Sequence, residues 1–293
     1  LFPCHRRNRK VKTMREINSE QVARAVESLC ISSNCHLSKD VREALRENLE
    51  KEESPLGKEV LEEILENGRM AQEEKLPICQ DTGFAIVFVE MGQEVRITGG
   101  DFYEAINSGV INGYRNGYLR NSVVGDPLRR KNTGDNSPSW VHVDIVPGNR
   151  LKISVMPKGA GSENMSTVKM LSPAEGVQGV KKFVLEWVGE RGANACPPLV
   201  VGVGIGGTFE GVAMLAKKAL LRSIGSRNPE PFYAEMEDEL LKRINNLGLG
   251  PQGLGGSTTA LAVHIETYPC HIASLPLAIN LQCHAVRHAT IVL

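Results

Sequence analysis

Residues 141–156 read VHVDIVPGNRLKISVM, and this stretch decides the fold class. Apolar and polar residues alternate along residues 141–146 and again along residues 151–156, as they do in half-buried strands. The turn-forming residues 147–150 (PGNR) separate the two runs, so the pattern predicts a β-hairpin. An antiparallel pair of strands excludes a purely parallel sheet and favours a mixed α/β (α+β) fold.

The segments around this hairpin predict further strands that interleave with helices. Strands are predicted at residues 84–91, 199–202, 258–265 and 273–281, and helices begin near Asp101, Ser172, Phe209 and Pro231. Asp101 and Glu104 have the spacing of a capping box, which is typical of a helix N-terminus. Residues 75–293 are therefore predicted to form a mixed or antiparallel sheet flanked by helices.

The preceding residues, 15–74, carry helical patterns. Val41, Leu45 and Leu49 recur at helical spacing. Ser54 followed by Pro55 restarts a helix, because a polar N-cap and a proline at the first helical position both favour its start. We expect one functional domain over residues 14–293, with a helical N-terminal segment followed by the sheet.

Length and composition exclude several classes of protein. The chain has 293 residues, of which 41% are hydrophobic and 23% charged, as is ordinary for a soluble globular protein. No apolar run approaches the ~20 residues that a membrane span requires. Basic and acidic residues number 34 each, so there is no basic excess to indicate nucleic-acid binding. Seven cysteines are too few for a disulfide scaffold, and they predict a reducing, cytoplasmic setting.

The N-terminal residues 1–13 differ from the rest in charge. They carry five basic residues and no acidic one, so that the chain from Met14 onward has a net charge of −5. We interpret residues 1–13 as a leader without a structural role, either upstream sequence ahead of an internal Met or a disordered arm. A targeting peptide is a third reading, but the segment has no Ser-rich amphipathic stretch.

Gly202, Gly204 and Gly207 have the spacing of a dinucleotide-binding fingerprint between a strand and a helix. That fingerprint expects an acidic residue ~20 positions further on, where this chain has Ser-Arg-Asn-Pro at residues 226–229. The alternatives are a tight turn with close backbone packing and a nicotinamide-dependent oxidoreductase. The Walker A, Gly-x-Ser-x-Gly and His-Glu-x-x-His motifs are absent from the sequence.

Three cysteines stand at boundaries between irregular chain and predicted elements: Cys79, Cys196 and Cys283. They are 117 and 87 residues apart, whereas ferredoxin-type clusters have closely spaced cysteines. Spacing alone indicates three unrelated buried thiols. Cys30 and Cys35 have the spacing of a possible metal pair, although free thiols are the simpler interpretation.

Several motifs occur in a characteristic order: LPICQDTG (76–83), YLRNSV (118–123) followed by Asp126-Pro127, PKGAGSEN (157–164), ACPP (195–198), GVGIGGT (202–208), GPQGLGGSTT (250–259) and CHIASLPL (270–277). Together they resemble the alpha subunit, or N-terminal region, of the iron–sulfur class I fumarate hydratase and L-tartrate dehydratase family. The resemblance extends over residues 15–293.

This resemblance implies a [4Fe–4S] cluster held by Cys79, Cys196 and Cys283. Three thiolates on four irons leave one iron without a protein ligand, which acts as a Lewis acid on the hydroxyl that is lost or gained. The cluster in this family is an acid rather than an electron carrier. An open iron is prone to oxidation, which agrees with the expected reducing compartment.

The resemblance also implies roles for five further residues. Asp81 and His271 are expected to be catalytic, and Gln80, Arg120 and Gly161 are expected to bind the substrate. Arg120 suits a bidentate contact with a carboxylate, and Gly161 would present its backbone N–H. The structural alternatives are an Asx-turn for Asp81, a surface position for Arg120 and a structural histidine for His271.

The expected function is that of the alpha subunit of a hydro-lyase acting on a small dicarboxylate, with fumarate and malate preferred over tartrate. The family's remaining catalytic groups lie on a beta subunit or C-terminal domain, so we expect activity only with a partner chain, in an α₂β₂ assembly. No nucleic-acid or membrane partner is expected. The alternatives are the nicotinamide-dependent oxidoreductase and a non-catalytic iron–sulfur module.

Overall fold

The computed structural model describes residues 14–285 and 288–293, so the proposed leader at residues 1–13 lies outside the described residues. The helices are α1 (Ser19–Cys35), α2 (Lys39–Lys51), α3 (Pro55–Glu74), α4 (Phe102–Asn116), α5 (Ala160–Glu163), α6 (Gly176–Arg191), α7 (Phe209–Ala219) and α8 (Pro231–Asn245). The strands are β1 (Arg15–Asn18), β2 (Phe84–Gly92), β3 (Val95–Thr98), β4 (Trp140–Val146), β5 (Leu151–Lys158), β6 (Thr167–Leu171), β7 (Leu199–Gly206), β8 (Ala260–Tyr268), β9 (Leu275–Gln282) and β10 (Ala289–Val292). None of the helices described is both long and apolar enough to span a membrane.

The first large sheet confirms the mixed α/β class but not the predicted hairpin. Its strand order is β10-β5-β2-β4, so β2 lies between β4 and β5 and pairs with one in parallel and with the other antiparallel. The predicted hairpin of residues 141–146 with 151–156 is therefore wrong. Because β2 is buried over most of its length, it takes the centre of the sheet. The turn at residues 147–150 passes over the end of β2, where the Gly92 N–H donates to the Arg150 carbonyl oxygen at 2.9 Å.

The second large sheet has the order β6-β9-β7-β8, with β7 parallel to β8 and antiparallel to β9. The predicted strands are all present, although β7 is longer than predicted. Leu199 pairs with Ala260, and Val200 pairs with Gln282. The start of β7 and the end of β9 therefore meet at the same end of this sheet.

The N-terminal segment is helical, except at its first residues. Arg15–Asn18 form strand β1, parallel to β3, instead of the helix predicted from residue 15. Asn18 ends this strand because its side chain accepts from the Glu20 N–H and caps α1. The predicted start signals at Ser54 and Asp101 are confirmed, since each side chain accepts a backbone N–H of the following helix.

Apolar residues on these elements form connected cores. Helices α1 and α4 cover one face of the first sheet, and α6 and α8 cover one face of the second. Helices α2 and α3 contribute Leu45 and Leu61 to a core that also contains Phe88 of the first sheet and Val200 of the second. Helices α2 and α3 therefore pack against both large sheets and join the two sheets through a common core.

Gly202 and Gly204 lie inside strand β7, beneath helix α7. A Cβ atom on Gly202 would overlap the Ala216 backbone, and one on Gly204 would lie 2.7 Å from the Ala216 nitrogen. Such contacts are too close for any side chain, so these glycines allow the helix to approach the strand. Close packing thus accounts for Gly202 and Gly204, and Gly207 follows the strand with a φ of 70°, in agreement with a tight turn and close backbone packing.

Candidate active site

The segments that carry Cys79, Cys196 and Cys283 meet at one end of the two large sheets. Cys79 precedes β2, Cys196 precedes β7, and Cys283 follows β9. The pKa of the Cys196 thiol is raised, first by desolvation and then by the negative charges of Cys283 and Cys79. Cys283 and Cys79 therefore both lie close enough to Cys196 to act on its thiol.

The six cysteines among the described residues are all free thiols. Across the described part of the chain, no three His, Cys, Asp or Glu side chains converge tightly enough to hold a single metal ion. Cys30 and Cys35 are buried in α1, as expected of packed thiols, and burial raises the pKa of Cys30 to about 12. A thiol with such a pKa stays protonated and is a poor metal ligand.

The backbone around Cys196 is held by Gln252, which lies within the GPQGLGGSTT motif (250–259), and by His284, and the sequence alone assigned neither residue a role. Cys196 has a φ of 57°, in the left-handed region that few residues other than glycine adopt. Gln252 donates to the Pro197 carbonyl oxygen twice, from its backbone N–H at 2.8 Å and from Nε2 at 3.0 Å. The His284 N–H donates to the Cys196 carbonyl oxygen at 3.2 Å. Gln252 and His284 thus connect the Cys196 and Cys283 segments.

Gln252 belongs to the glycine-rich loop of residues 248–256, which is anchored by Glu52. This carboxylate is buried and accepts the N–H groups of Ser257 and Thr258, each at 2.8 Å. Burial alone would raise its pKa, but these bonds and one from the Ser54 N–H outweigh burial and lower the pKa to about 2. Glu52 sits in an acid-rich stretch that reads as solvated, so no sequence signal distinguished it.

Asp81 connects the Cys79 segment to the loop before α5. Its Oδ1 accepts from the Gly83 N–H at 3.0 Å, which is the Asx-turn, and its Oδ2 accepts from the Ala160 N–H at 2.8 Å. Gln80 lies beside Cys79, whose Sγ donates to Gln80 Oε1 at 3.5 Å. Asp81 therefore does form the Asx-turn, and the same hydrogen bonds fix the position of its carboxylate.

Arg120 and Gly161 flank Asp81. The Arg120 N–H donates to Thr82 Oγ1 at 2.9 Å, and Thr82 Oγ1 donates back to the Arg120 carbonyl oxygen at 3.0 Å. The Arg120 side chain is exposed. A Cβ on Gly161 would have no atom within 4 Å, so open space adjoins this residue. Because Ala160 contacts Asp81, the predicted residues Gln80, Asp81, Arg120 and Gly161 lie on neighbouring segments.

His271 is the predicted site residue that the structure does not bring to this end. It lies in the turn between β8 and β9, where its Nδ1 accepts from the Ala273 N–H at 3.1 Å. Cys283 follows the opposite end of β9, and an eight-residue strand spans roughly 25 Å. Within one chain, His271 and the three cysteines are therefore at opposite ends of the second sheet.

Comparison of the sequence with known proteins identifies the family of this chain. The sequence matches the model of fumarate hydratase (Fumerase) over residues 23–292. A Methanocaldococcus jannaschii protein, named "Putative L(+)-tartrate dehydratase subunit alpha", is 46% identical over 260 residues, which cover 87% of this chain and 91% of that protein. The L(+)-tartrate dehydratase subunit alpha of Escherichia coli K12 is 35% identical over 286 residues, 95% of this chain and 94% of that protein. The chain belongs to the fumarate hydratase (Fumerase) family.

Proposed function

We propose that this chain is the alpha subunit of a [4Fe–4S]-dependent hydro-lyase that adds water to, or removes it from, a small dicarboxylate. The hydro-lyase class follows from the family. The family name refers to fumarate, whereas the two relatives above are named for L(+)-tartrate. Tartrate therefore becomes the first substrate to test, ahead of the fumarate and malate that the sequence motifs favoured.

One observation carries the cofactor part of this proposal: three cysteines far apart in sequence lie on segments that meet at one end of the fold, where the His284 N–H donates to the Cys196 carbonyl oxygen and the pKa of Cys196 responds to Cys283 and Cys79. Thiolates are the usual protein ligands of iron–sulfur clusters. A four-iron cluster is larger than a single ion, so its ligands surround it without converging on one point. When bound to Cys79, Cys196 and Cys283, the cluster would supply a Lewis-acidic iron that lacks a protein ligand.

The surrounding side chains suit a dicarboxylate. The exposed guanidinium of Arg120 can bind one carboxylate through two parallel N–H donors. Gly161 adjoins open space, so its backbone is accessible to a second carboxylate or hydroxyl. Gln80 stands beside Cys79 and can hydrogen-bond the hydroxyl that is exchanged. These groups would orient the substrate with its reacting carbons near Asp81.

Asp81 is the proposed proton-transfer group. Backbone N–H groups fix both its oxygens, so that the carboxylate cannot rotate away from the site. A carboxylate oxygen accepts more than one hydrogen bond, which leaves Oδ2 able to take a proton from the substrate carbon during dehydration and to return it during hydration.

A partner chain completes the proposal. Both relatives are named as alpha subunits, and we propose a beta subunit here, with α₂β₂ as the assembly. His271 lies too far from the cysteines of its own chain to touch the same substrate. Its catalytic role therefore stays a proposal for the assembled enzyme, in which a second chain would have to bring it to the site.

Anaerobic purification of the chain, alone and with its beta subunit, tests the proposal. We expect a brown protein with broad absorbance near ~400 nm and about three to four irons per chain. Dehydration of tartrate, or hydration of fumarate, should require the beta subunit. A full rate from the alpha chain alone would overturn the two-subunit proposal. A cluster-bearing complex inactive on tartrate, fumarate and malate would indicate the non-catalytic module.

Substitution of single cysteines tests the ligands. Cys79→Ser should abolish iron binding, because it removes one of three proposed thiolates. Cys270→Ser is the matched control, since Cys270 is an exposed free thiol at the other end of the second sheet. Full iron content in Cys79→Ser would refute the assignment, and tight binding of a nicotinamide cofactor without iron would favour the oxidoreductase.

A further inference from the structure

A buried lysine lies next to the cysteine site. Lys158 is the last residue of β5, and only 1% of its side chain is exposed. Its Nζ donates to Ser162 Oγ at 2.8 Å and to the Leu281 carbonyl oxygen at 2.9 Å, and it lies 3.3 Å from Glu163 Oε2. An ammonium group is costly to bury unless charge and hydrogen bonds compensate for the lost hydration. A hydrophobic residue would suffice if this position served packing alone.

The partners of Lys158 leave its network with excess positive charge. Glu163 also pairs with Lys217 and accepts from Asn280 Nδ2 at 3.1 Å. Two lysines thus share one carboxylate. Burial lowers the pKa of Lys158 to about 8, even though the negative charges of Glu163 and Cys283 oppose this fall. Lys158 and Cys283 therefore attract each other when the thiol is ionised.

Lys158 also touches two of the cysteine segments through its hydrogen bonds and backbone. Leu281, which accepts from Nζ, is two residues from Cys283. Gly83 packs so closely against the Lys158 backbone that a Cβ there would lie 2.7 Å from the Lys158 nitrogen. Gly83 is in turn held by Asp81, two residues from Cys79. The lysine thus stands between the segments that precede β2 and follow β9.

We propose that Lys158 is a positioning and charge-balancing residue, whose buried ammonium offsets the negative charge of the thiolate ligands and holds the Cys283 segment beside the Cys79 segment. This role rests on the proposed function, because it requires a thiolate-bound cluster. Nearby charge and hydrogen bonding set the potential of such clusters. Loss of the positive charge should therefore make the cluster easier to oxidise.

Three variants of the full chain separate charge from packing. Lys158→Met keeps the length of the side chain but removes its charge. The double variant Lys158→Met/Glu163→Gln also removes the negative charge of Glu163, the carboxylate that pairs with Lys158. Lys217→Met is the matched control, because it removes the other lysine that pairs with Glu163 and leaves Lys158 in place. Each is reconstituted anaerobically and compared for iron per chain, cluster reduction potential, half-life of the ~400 nm absorbance in air, and melting temperature without iron.

We expect Lys158→Met to hold a cluster whose reduction potential is lower and whose half-life in air is at least about tenfold shorter, since one buried charge interaction exceeds the free energy of a tenfold change. The double variant loses a negative charge together with the positive one, so part of both changes should be restored. Lys217→Met should resemble the parent. The inference is overturned if Lys158→Met keeps the parent potential and half-life, or if Glu163→Gln restores neither of them, which would indicate that Lys158 acts through packing and not through charge. If the parent chain binds no iron, the proposed function fails instead.

Discussion

Glycine is required for different reasons in two glycine-rich segments of this molecule, residues 202–207 and residues 248–256. In the first, Gly202 and Gly204 lie in a buried strand with φ values that other residues adopt, and they are needed because helix α7 lies against them. In the second, the glycines have positive φ values, and the loop is held from outside by the Glu52 carboxylate. Gly202 and Gly204 need space, whereas the second segment needs backbone freedom and an anchor.

This difference shows why a glycine motif alone does not identify a binding site. The first segment has the spacing of a nucleotide-binding loop, yet all of it except Gly207 lies inside strand β7. The second lacks the spacing of a nucleotide-binding loop, yet it presents Gln252 to the Cys196 segment. The predictions below separate the two uses, from the largest expected effect to the smallest.

Replacing the anchor should have the largest effect on stability. Glu52→Gln places an amide against several backbone N–H donors and should lower the free energy of unfolding by about 3 kcal/mol at pH 7. Because the pKa of Glu52 falls from 4.5 to about 2 on folding, this stability is fully present above pH ~5 and is lost as the pH falls towards 2. Urea unfolding of the parent and of Glu52→Gln between pH 7 and pH 2 measures this stability, with Glu53→Gln at an exposed position as the control.

If the free energies of unfolding of the parent and of Glu52→Gln differ by a constant amount from pH 7 down to pH 2, the charge of Glu52 does not anchor the loop. The difference should instead shrink on acidification, because protonation removes in the parent the charge that the substitution removes in the variant.

Filling the space beneath α7 should have the next largest effect. Gly204→Ala places a methyl group against the backbone of Val212 and Ala216, which cannot move aside as a flexible side chain could, and should cost about 2 kcal/mol. Gly189→Ala, on the exposed side of α6, is the matched control and should leave stability unchanged or slightly raised. Equal urea midpoints for the two variants would contradict the packing role of Gly204.

Removing the side chain of Gln252 should have a smaller effect on folding. Gln252→Gly tolerates the φ of 53° at this position and loses the Nε2 hydrogen bond to Pro197, at a cost of about 1 kcal/mol. We also expect slower iron uptake by the variant in anaerobic reconstitution, because the Cys196 segment loses part of its support. Unchanged uptake would limit the loop to a structural role.

Gly161→Ala should leave stability within ~0.5 kcal/mol of the parent, because the added methyl group meets no atom within 4 Å. If the open space beside Gly161 receives a substrate carboxylate, KM measured on the alpha–beta complex should rise about tenfold, a loss of ~1.4 kcal/mol in binding. An unchanged KM would remove Gly161 from the proposed substrate contacts.

The sequence predicts the helices and strands of this fold better than it predicts which strands pair with each other. Patterns of residue type indicated most helices and strands, because periodicity and capping are local. The hairpin prediction failed because nothing local says that β2 enters between β4 and β5. At the site, the run Cys79-Gln80-Asp81 is recognisable because its members are adjacent. Glu52, Lys158 and Gln252 act through partners distant in the chain, so their roles are visible only in three dimensions.

The convergence of Cys79, Cys196 and Cys283 also has a consequence for the order of folding. The gaps between them, 117 and 87 residues, make theirs a contact of high sequence separation, which forms only after the costly closure of long loops. The pairing of β7 with β9 brings Cys196 and Cys283 to the same end of the second sheet, so we expect this pairing to come first. A zinc finger is ordered by its metal, because its ligands are close in the chain. We therefore expect a group shared by the three thiols to enter a chain that has already folded, rather than to act as its folding nucleus.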